Sequence, residues 1–328
     1  MRSNPLVSVV IPTYNRAELI CQTIENVFQQ TYKNLEVIIV DDGSKDETLG
    51  RLSVFGDRIR VIRQANAGPA VARNRGVDAA SGEIIAFQDS DDIWMPTKLE
   101  RQVSLLQKAG AEVPCCLCNA EMHFADKSSS TSFELAWLRP NIESGVWTNV
   151  PEVLATTFVL FNQCSAIRSD VLRKVGGFDE SYKYMEDYDL PLRLSLEGRS
   201  WAFIRDPLVV WRQGSAQSFS LQALADEIRL KECELKIREV VSDRVRGVTG
   251  YRELEKNLSR ERKRNQRELA IAKIRRRDFP GVQGLAWLLQ RTERYRNAVH
   301  RRTPSFPRMQ VRSLGEELAP VSPTLRSK

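Results

Sequence analysis

Apolar runs rich in β-branched residues, each breaking off into a short polar cluster, constrain this chain more than any other feature. Val7–Ile11 is such a run; Pro12 ends it and Thr13, Tyr14 and Asn15 follow. Leu35–Val40 closes on Asp41-Asp42-Gly43-Ser44, and Glu83–Gln88 closes on Asp89-Ser90-Asp91-Asp92. Arg58–Arg63 reads as a further strand, as does Val113–Cys118. Between them, Ala17–Gln30 sets Leu19, Ile20, Ile24, Val27 and Phe28 at helical spacing, and Gly68–Ala80 reads as a helix of small residues. Strands alternating with helices predict a mostly parallel α/β sheet with crossover helices. Ligands of such sheets bind outside the carboxyl ends of the strands. The three polar clusters are therefore expected to converge on one edge.

The chemistry expected at that edge rests on carboxylates. In extended geometry Asp89 and Asp91 face the same way, and two converging carboxylates with open positions suit Mg²⁺ or Mn²⁺. The competing reading is that Asp91 or Asp92 caps a helix beginning near Ile93. An Asp at 41 or 42 can accept from a base N–H or a ribose hydroxyl, but Asp-Gly-Ser is also ordinary turn chemistry. Gly68 precedes a helix carrying Arg73, a candidate phosphate contact. Glu186 and Asp187 fall at the start of a helix, where each reads either as a cap or as a general base.

Taken together, five segments resemble family 2 of the inverting glycosyltransferases, whose fold is GT-A. They are Val7–Arg16, Val40–Ser44, Asn66–Gly76, Phe87–Trp94, and the downstream pair Gly177-Phe178-Asp179 with Glu186-Asp187. The resemblance covers about residues 5–215. It implies a Rossmann-like sheet flanked by helices and transfer of a sugar from a nucleotide-diphospho-sugar, a UDP-sugar favoured, to an acceptor hydroxyl. It also implies that Pro12, Thr13, Tyr14, Asn15, Asp41, Asp42, Arg73 and Ser90 belong to the donor site. Asp89 and Asp91 match the D-x-D site for diphosphate and Mn²⁺ or Mg²⁺. Asp187 matches the base position, with Glu186 as runner-up. The acceptor implied is a saccharide or lipid-linked molecule of polysaccharide, lipopolysaccharide or other glycoconjugate synthesis. One departure is Trp211-Arg212-Gln213-Gly214, where Gly214 stands in place of a His the family often carries. A catalytically silent GT-A-like binding or scaffold protein is the alternative. A nucleotidyltransferase ranks below it, because the first loop lacks the glycines that cradle a triphosphate.

Charge divides the chain. Residues 221–328 hold 26 Lys+Arg against 14 Asp+Glu, leaving 23 against 28 before them. The expected organisation is a catalytic domain over 1–220, a basic helical extension over 221–302 and a loosely ordered tail over 303–328. Gly284–Arg302 has the spacing of a basic amphipathic helix, suited to an anionic membrane surface or to packing on the catalytic domain. No specific nucleic-acid module is recognisable. Cys115, Cys116 and Cys118 read as buried strand thiols of a reducing compartment. With no apolar run long enough to span a bilayer and no signal-peptide pattern, the chain is expected in the cytoplasm, peripheral at most to the inner face of the membrane.

Overall fold

The strand expected to stop at Pro12 runs through it. In the computed structural model, which describes residues 4–124, 128–212, 226–276 and 307–314, β1 spans Val7–Thr13. It lies between β2 (Leu35–Asp41) and β4 (Ile84–Phe87), parallel to both. Even-numbered residues of β1 face β4: the Gln88 N–H donates to the Val10 carbonyl, whereas the Thr13 carbonyl accepts from Asp42 on the other side. The β4 register ends at Val10–Phe87, so the N–H missing at Pro12 removes no ladder bond. Outside β2 lies β3 (Arg60–Arg63), again parallel.

Beyond this parallel half the sheet is mixed, which corrects the mostly parallel expectation. Of ten strand pairings among the described residues, four are parallel. The change begins at β6 (Cys115–His123), where the chain folds back through β7 (Ser129–Thr131) instead of crossing over by a helix. β8 (Ser144–Trp147) follows, and β9 (Ser165–Arg168) then inserts antiparallel between β4 and β6. The long β10 (Trp201–Arg212) runs parallel to β6 and antiparallel to both β8 and the short β5 (Ile93–Trp94). The tail expected to be loose contributes β11 (Val311–Arg312), whose backbone pairs with β8.

Helices α1 (Ile20–Phe28), α2 (Thr48–Leu52), α3 (Pro69–Ala79) and α4 (Lys98–Ala109) accompany the first half. The second half carries α5 (Ser132–Leu135), α6 (Val150–Leu154), α7 (Ser169–Lys174) and α8 (Glu186–Glu197). Four cysteines, Cys115, Cys116, Cys118 and Cys164, are buried free thiols. Residues Met1–Gly214 and Met309–Val321 form one compact unit. The other, Ser215–Arg308 with Ser322–Lys328, contains α9 (Glu227–Val245) and α10 (Arg252–Arg276). These two helices run antiparallel, because Lys231 pairs with Glu268, Glu239 with Arg262 and Glu232 with Lys273. Among the described residues no helix is long and apolar enough to cross a membrane. The amphipathic segment 284–302 lies outside the described residues.

Helix α3 seats directly on β1 because Gly76 has no side chain: a Cβ there would meet Val10 Cγ1 at 2.3 Å. Overpacking typically costs about 1–3 kcal/mol, while Ala gains about 1 kcal/mol of helix propensity over Gly. Gly76→Ala is therefore expected to lose up to about 2 kcal/mol net, read as a lower urea midpoint at unchanged m. Adding Val10→Ala should recover part of the loss. Equal midpoints for wild type and Gly76→Ala would mean that relieving the clash costs no more than the helix propensity gained.

Candidate active site

Where β4 ends, the chain does not stay extended. Ser90 and Asp91 form a turn closed by the Asp92 N–H on the Asp89 carbonyl, and β5 follows. No helix starts at Ile93; α4 begins at Lys98, so neither Asp91 nor Asp92 caps it. Two paired carboxylates leave this turn in different company. Asp89 accepts from Arg73 Nη2 at 2.8 Å, and Asp91 lies 3.8 Å from Arg16 Nη2. They remain close enough for Asp89 to help raise the Asp91 pKa. Burial is the larger cause of that rise, and Arg16 opposes it. The turn is pinned from α1 by Thr23, whose hydroxyl donates to the Ser90 carbonyl at 2.8 Å.

Arg73 is the centre of the site. It is buried on α3, donates through Nη2 to Asp89 and through Nη1 to Glu186 Oε1 at 3.0 Å. Burial disfavours its charge, but Asp89 and Glu186 outweigh that and hold the guanidinium protonated. Glu186 and Asp187 open α8 as expected, yet the residue before them, Met185, adopts a left-handed conformation (φ 70°) and provides no side-chain cap. Glu186 spends its carboxylate on Arg73 and not on capping. The half-buried Asp187 is pushed up to about 7, first by burial and then by the charge of Glu186; Arg73 opposes the rise and Asp89 adds to it.

The nucleotide side, as read from sequence, is organised by its own loops. Both Asp42 oxygens are taken: Oδ1 accepts from Gln64 Nε2 and the Ala67 N–H, and Oδ2 from the Gly68 N–H, all at 2.8 Å. Asp41 is fully buried and accepts from the Ser44 N–H, the turn reading of the sequence. Asn15 sits at φ 52° and links the first two loops, its N–H donating to Ser44 Oγ and its Oδ1 accepting from the Lys45 N–H. Pro12 and Thr13 end β1, and Tyr14 is 40% exposed. Thr13 Oγ1, Arg73 Nε and Gln64 Oε1 are buried without a hydrogen-bond partner. Unmet buried polar atoms are rare in finished interiors, and these three lie at or beside the residues expected to touch donor. Sequence reasoning missed two residues here. Arg16 carried no spacing signal for its contact with Asp91. Asn74, which clamps Phe178 through both backbone groups at 2.8 Å, was legible only as a neighbour of Arg73. Gln213 and Gly214 lie outside the described residues.

The family model for glycosyl transferase family 2 matches residues 8–175, more than half of the chain. The chain belongs to that family. An uncharacterized glycosyltransferase of Rickettsia typhi is 32% identical over 216 residues, covering 66% of each chain. The Escherichia coli UDP-Glc:alpha-D-GlcNAc-diphosphoundecaprenol beta-1,3-glucosyltransferase WfgD is 45% identical over 105 residues, 31% of this chain and 42% of that enzyme. The chain thus spans less than two thirds of these relatives' lengths. A mannosyltransferase from Pyrobaculum calidifontis, solved with GDP-Man and Mn²⁺, aligns at a TM-score of 0.57 and 19% identity, over 92% of this chain and 82% of that one. The shared architecture is the GT-A type, a mixed sheet with flanking helices.

Among the described residues no three His, Cys, Asp or Glu side chains gather into a metal cage. The donor set present is Asp91 with the Asp89 oxygen not bound by Arg73. That fits an ion of the Mg²⁺ or Mn²⁺ kind, which is commonly held by one or two carboxylates and completed by substrate oxygens.

The raised Asp187 pKa fixes a stability window. A carboxyl that titrates at about 7 in the fold and at 3.8 without it contributes stability that is fully present below 3.8 and lost as pH rises towards 7. Asp187→Asn escapes that loss. Its melting temperature should match or trail wild type at pH 4, overtake it across pH 4–7 and keep a constant lead above. A difference that does not vary with pH would show that Asp187 is not perturbed.

Proposed function

We propose that this chain is an inverting glycosyltransferase that moves a sugar from a nucleotide-diphospho-sugar to an acceptor hydroxyl. One observation carries the reading: Asp89, Glu186 and Asp187 gather about the buried cation Arg73, whose hydrogen bonds go to Asp89 and Glu186, and Asp187 titrates near neutrality. A general base works best with a pKa near the working pH. Asp187 takes the proton from the acceptor oxygen as that oxygen attacks the anomeric carbon. The bond to the diphosphate breaks in the same displacement, so configuration inverts. A double displacement would need a second carboxylate as nucleophile, and Glu186 is tied to Arg73. Glu186 keeps Asp187 basic, Arg73 orients Glu186 and Asp89, and the loops held by Asp42 and Asn15 border the nucleoside. Pro12, Thr13, Tyr14, Asp41 and Ser90 complete the donor site. Asp89 and Asp91 would hold Mn²⁺ or Mg²⁺, whose chemistry is neutralisation of the departing diphosphate.

The 45% identity with an enzyme named for UDP-Glc favours a UDP-sugar, and its named lipid-linked acceptor favours a saccharide on a lipid carrier here too. Such an acceptor needs the enzyme at a membrane. Helix α10 offers a fitting surface: Arg252, Lys256, Arg260, Lys263 and Arg267 are exposed along it, Lys256 and Arg260 also pairing with Glu253 and Glu261 of the same helix, while Arg262, Glu268 and Lys273 pair with α9. Attachment to the inner face of an anionic membrane, with no specific nucleic acid as partner, accords with this face.

Three outcomes test these statements. Turnover of UDP-glucose, including acceptor-free hydrolysis, should vanish on exhaustive chelation and return with Mn²⁺. Asp187→Asn should bind UDP as wild type does but lose roughly 10²-fold or more in kcat, and the wild-type rate should climb as pH rises through about 7. An inactive Glu186→Gln beside an active Asp187→Asn would move the base to Glu186. The full chain should sediment with phosphatidylglycerol vesicles at low salt and be released by salt. Reversing Lys256, Arg260 and Lys263 to Glu should abolish sedimentation, each removed cation being worth about 1 kcal/mol at such a surface. Unchanged sedimentation would place the membrane contact elsewhere.

A further inference from the structure

A short helix on the second half of the sheet ends in an unexpected residue. After α5, the Leu138 N–H bonds back to the Phe133 carbonyl at 2.7 Å and the Trp137 N–H to the Glu134 carbonyl at 3.1 Å. This double closure puts residue 137 in the left-handed position that glycine normally fills. Trp137 holds it at φ 58° with its side chain in solvent, the residue being 60% exposed. A bulky residue at positive φ is an outlier that carries backbone strain. Packing does not offset that strain, because so much of the ring is uncovered. The arrangement presents a rigid indole, with the Arg139 guanidinium 5.6 Å from its ring centroid.

The indole has a neighbour. Thr157 Oγ1 donates to the Ala136 carbonyl at 3.4 Å, bringing the segment that carries Phe158 beside the turn that carries Trp137. Phe158 is itself 43% exposed. Its ring centroid lies 6.4 Å from that of Tyr188, the buried residue that follows Asp187 on α8. The exposed Phe158 thus connects the buried Tyr188 of the base's helix to the turn that carries the exposed Trp137. Flat aromatic faces carry negative charge density and so attract the positively polarised C–H face of a sugar ring. A lipid chain would instead favour a continuous aliphatic groove, and only Leu135, at 50% exposure, adds aliphatic surface here.

We propose that Trp137 and Phe158 form the acceptor subsite, a platform on which one saccharide ring of the acceptor stacks beside α8. The inference rests on the glycosyltransferase reading above, and it assigns the acceptor side of that site to a carbohydrate and not to a bare lipid or protein. Trp137 binds and positions; it takes no part in proton transfer.

The test uses the full chain and saturation-transfer NMR with the methyl β-glycosides of glucose, galactose and N-acetylglucosamine, alongside octyl β-D-glucoside. Saturation should reach the ring C–H protons of at least one methyl glycoside. Affinity should fall tenfold or more in Trp137→Gly and several-fold in Phe158→Ala, with Trp137→Phe retaining part of it. Trp137→Gly suits the left-handed backbone, so its melting temperature should be unchanged or higher. Equal affinity in Trp137→Gly, saturation confined to the octyl chain, or no transfer to any methyl glycoside would each overturn the proposal. Binding of UDP with Mn²⁺ and hydrolysis of UDP-glucose are read on the same samples. Their absence in wild type sinks the enzymatic reading, whereas their persistence in Trp137→Gly alongside lost glycoside binding isolates the acceptor subsite.

Discussion

A guanidinium buried at the edge of the sheet is tolerable only if counter-charges surround it, and that requirement organises this protein. Arg73 on α3 finds Asp89 sixteen residues along and Glu186 at a separation of 113. One side chain thereby ties the parallel half of the sheet to the helix α8 of the mixed half. Breaking such a pair from one side commonly costs about 3–5 kcal/mol, because the abandoned charge stays buried. The expectation that Arg73 reaches phosphate therefore meets a constraint: both terminal nitrogens are committed to carboxylates, and only Nε is unpartnered. Its effect on a donor is exerted chiefly through Asp89 and Glu186.

The charge balance around Arg73 is uneven, and the imbalance is chemically useful. Three carboxylates, Asp89, Glu186 and Asp187, act on this one cation. Asp89 and Glu186 take its hydrogen bonds, so Asp187 is the group whose ionisation the neighbourhood resists. The site is thus short of positive charge as well as carrying a carboxylate near neutrality. A divalent ion with a diphosphate donor would change both conditions together. The loops that border this pocket are fixed before any ligand arrives. Asp42 holds three donors of the 64–68 segment, and Asn74 clamps Phe178, so the segments on both sides of Arg73 are braced by half-buried hydrogen bonds.

Much of this was legible in the sequence wherever one local signal decided the structure. Apolar runs such as Leu35–Val40 and Ile84–Phe87 had to be buried strands, and their polar ends do meet at one edge. Local signals failed where direction or partner was set at long range. Nothing near Cys118 announces that the chain folds back and that β9 enters antiparallel. Pro12 looked like a terminator because its tolerance depends on where β4, more than 70 residues away, happens to end. Asp91 looked like a cap because the strand pairing of Ile93 and Trp94 with β10 is invisible locally. The Arg73–Glu186 contact had no signal in either residue's neighbourhood. Trp137 passed unnoticed because a left-handed backbone is recognised in sequence by glycine or asparagine, and here neither marks it.

The start of α8 shows how competing local effects are resolved at the base. A helix N-terminus favours a carboxylate's anion by about 0.3–1 kcal/mol, less than one pKa unit at 1.36 kcal/mol per unit. Asp187 nevertheless moves from 3.8 to about 7, so burial and the adjacent Glu186 outweigh the dipole. Backbone distortion is concentrated at the same point. Met185 takes a left-handed conformation just before the helix, and Pro191, inside it, has no N–H to give the Asp187 carbonyl four residues earlier. The first turn of α8 keeps the Tyr188 and Asp189 N–H bonds to the Met185 carbonyl and is held besides by the Arg73–Glu186 pair and by Tyr188, whose hydroxyl donates to the Leu154 carbonyl. A helix start built for stability would carry a Ser, Thr or Asp cap and a solvated first-turn acid. Here those comforts are replaced by long-range contacts that keep one carboxylate poorly solvated and in place.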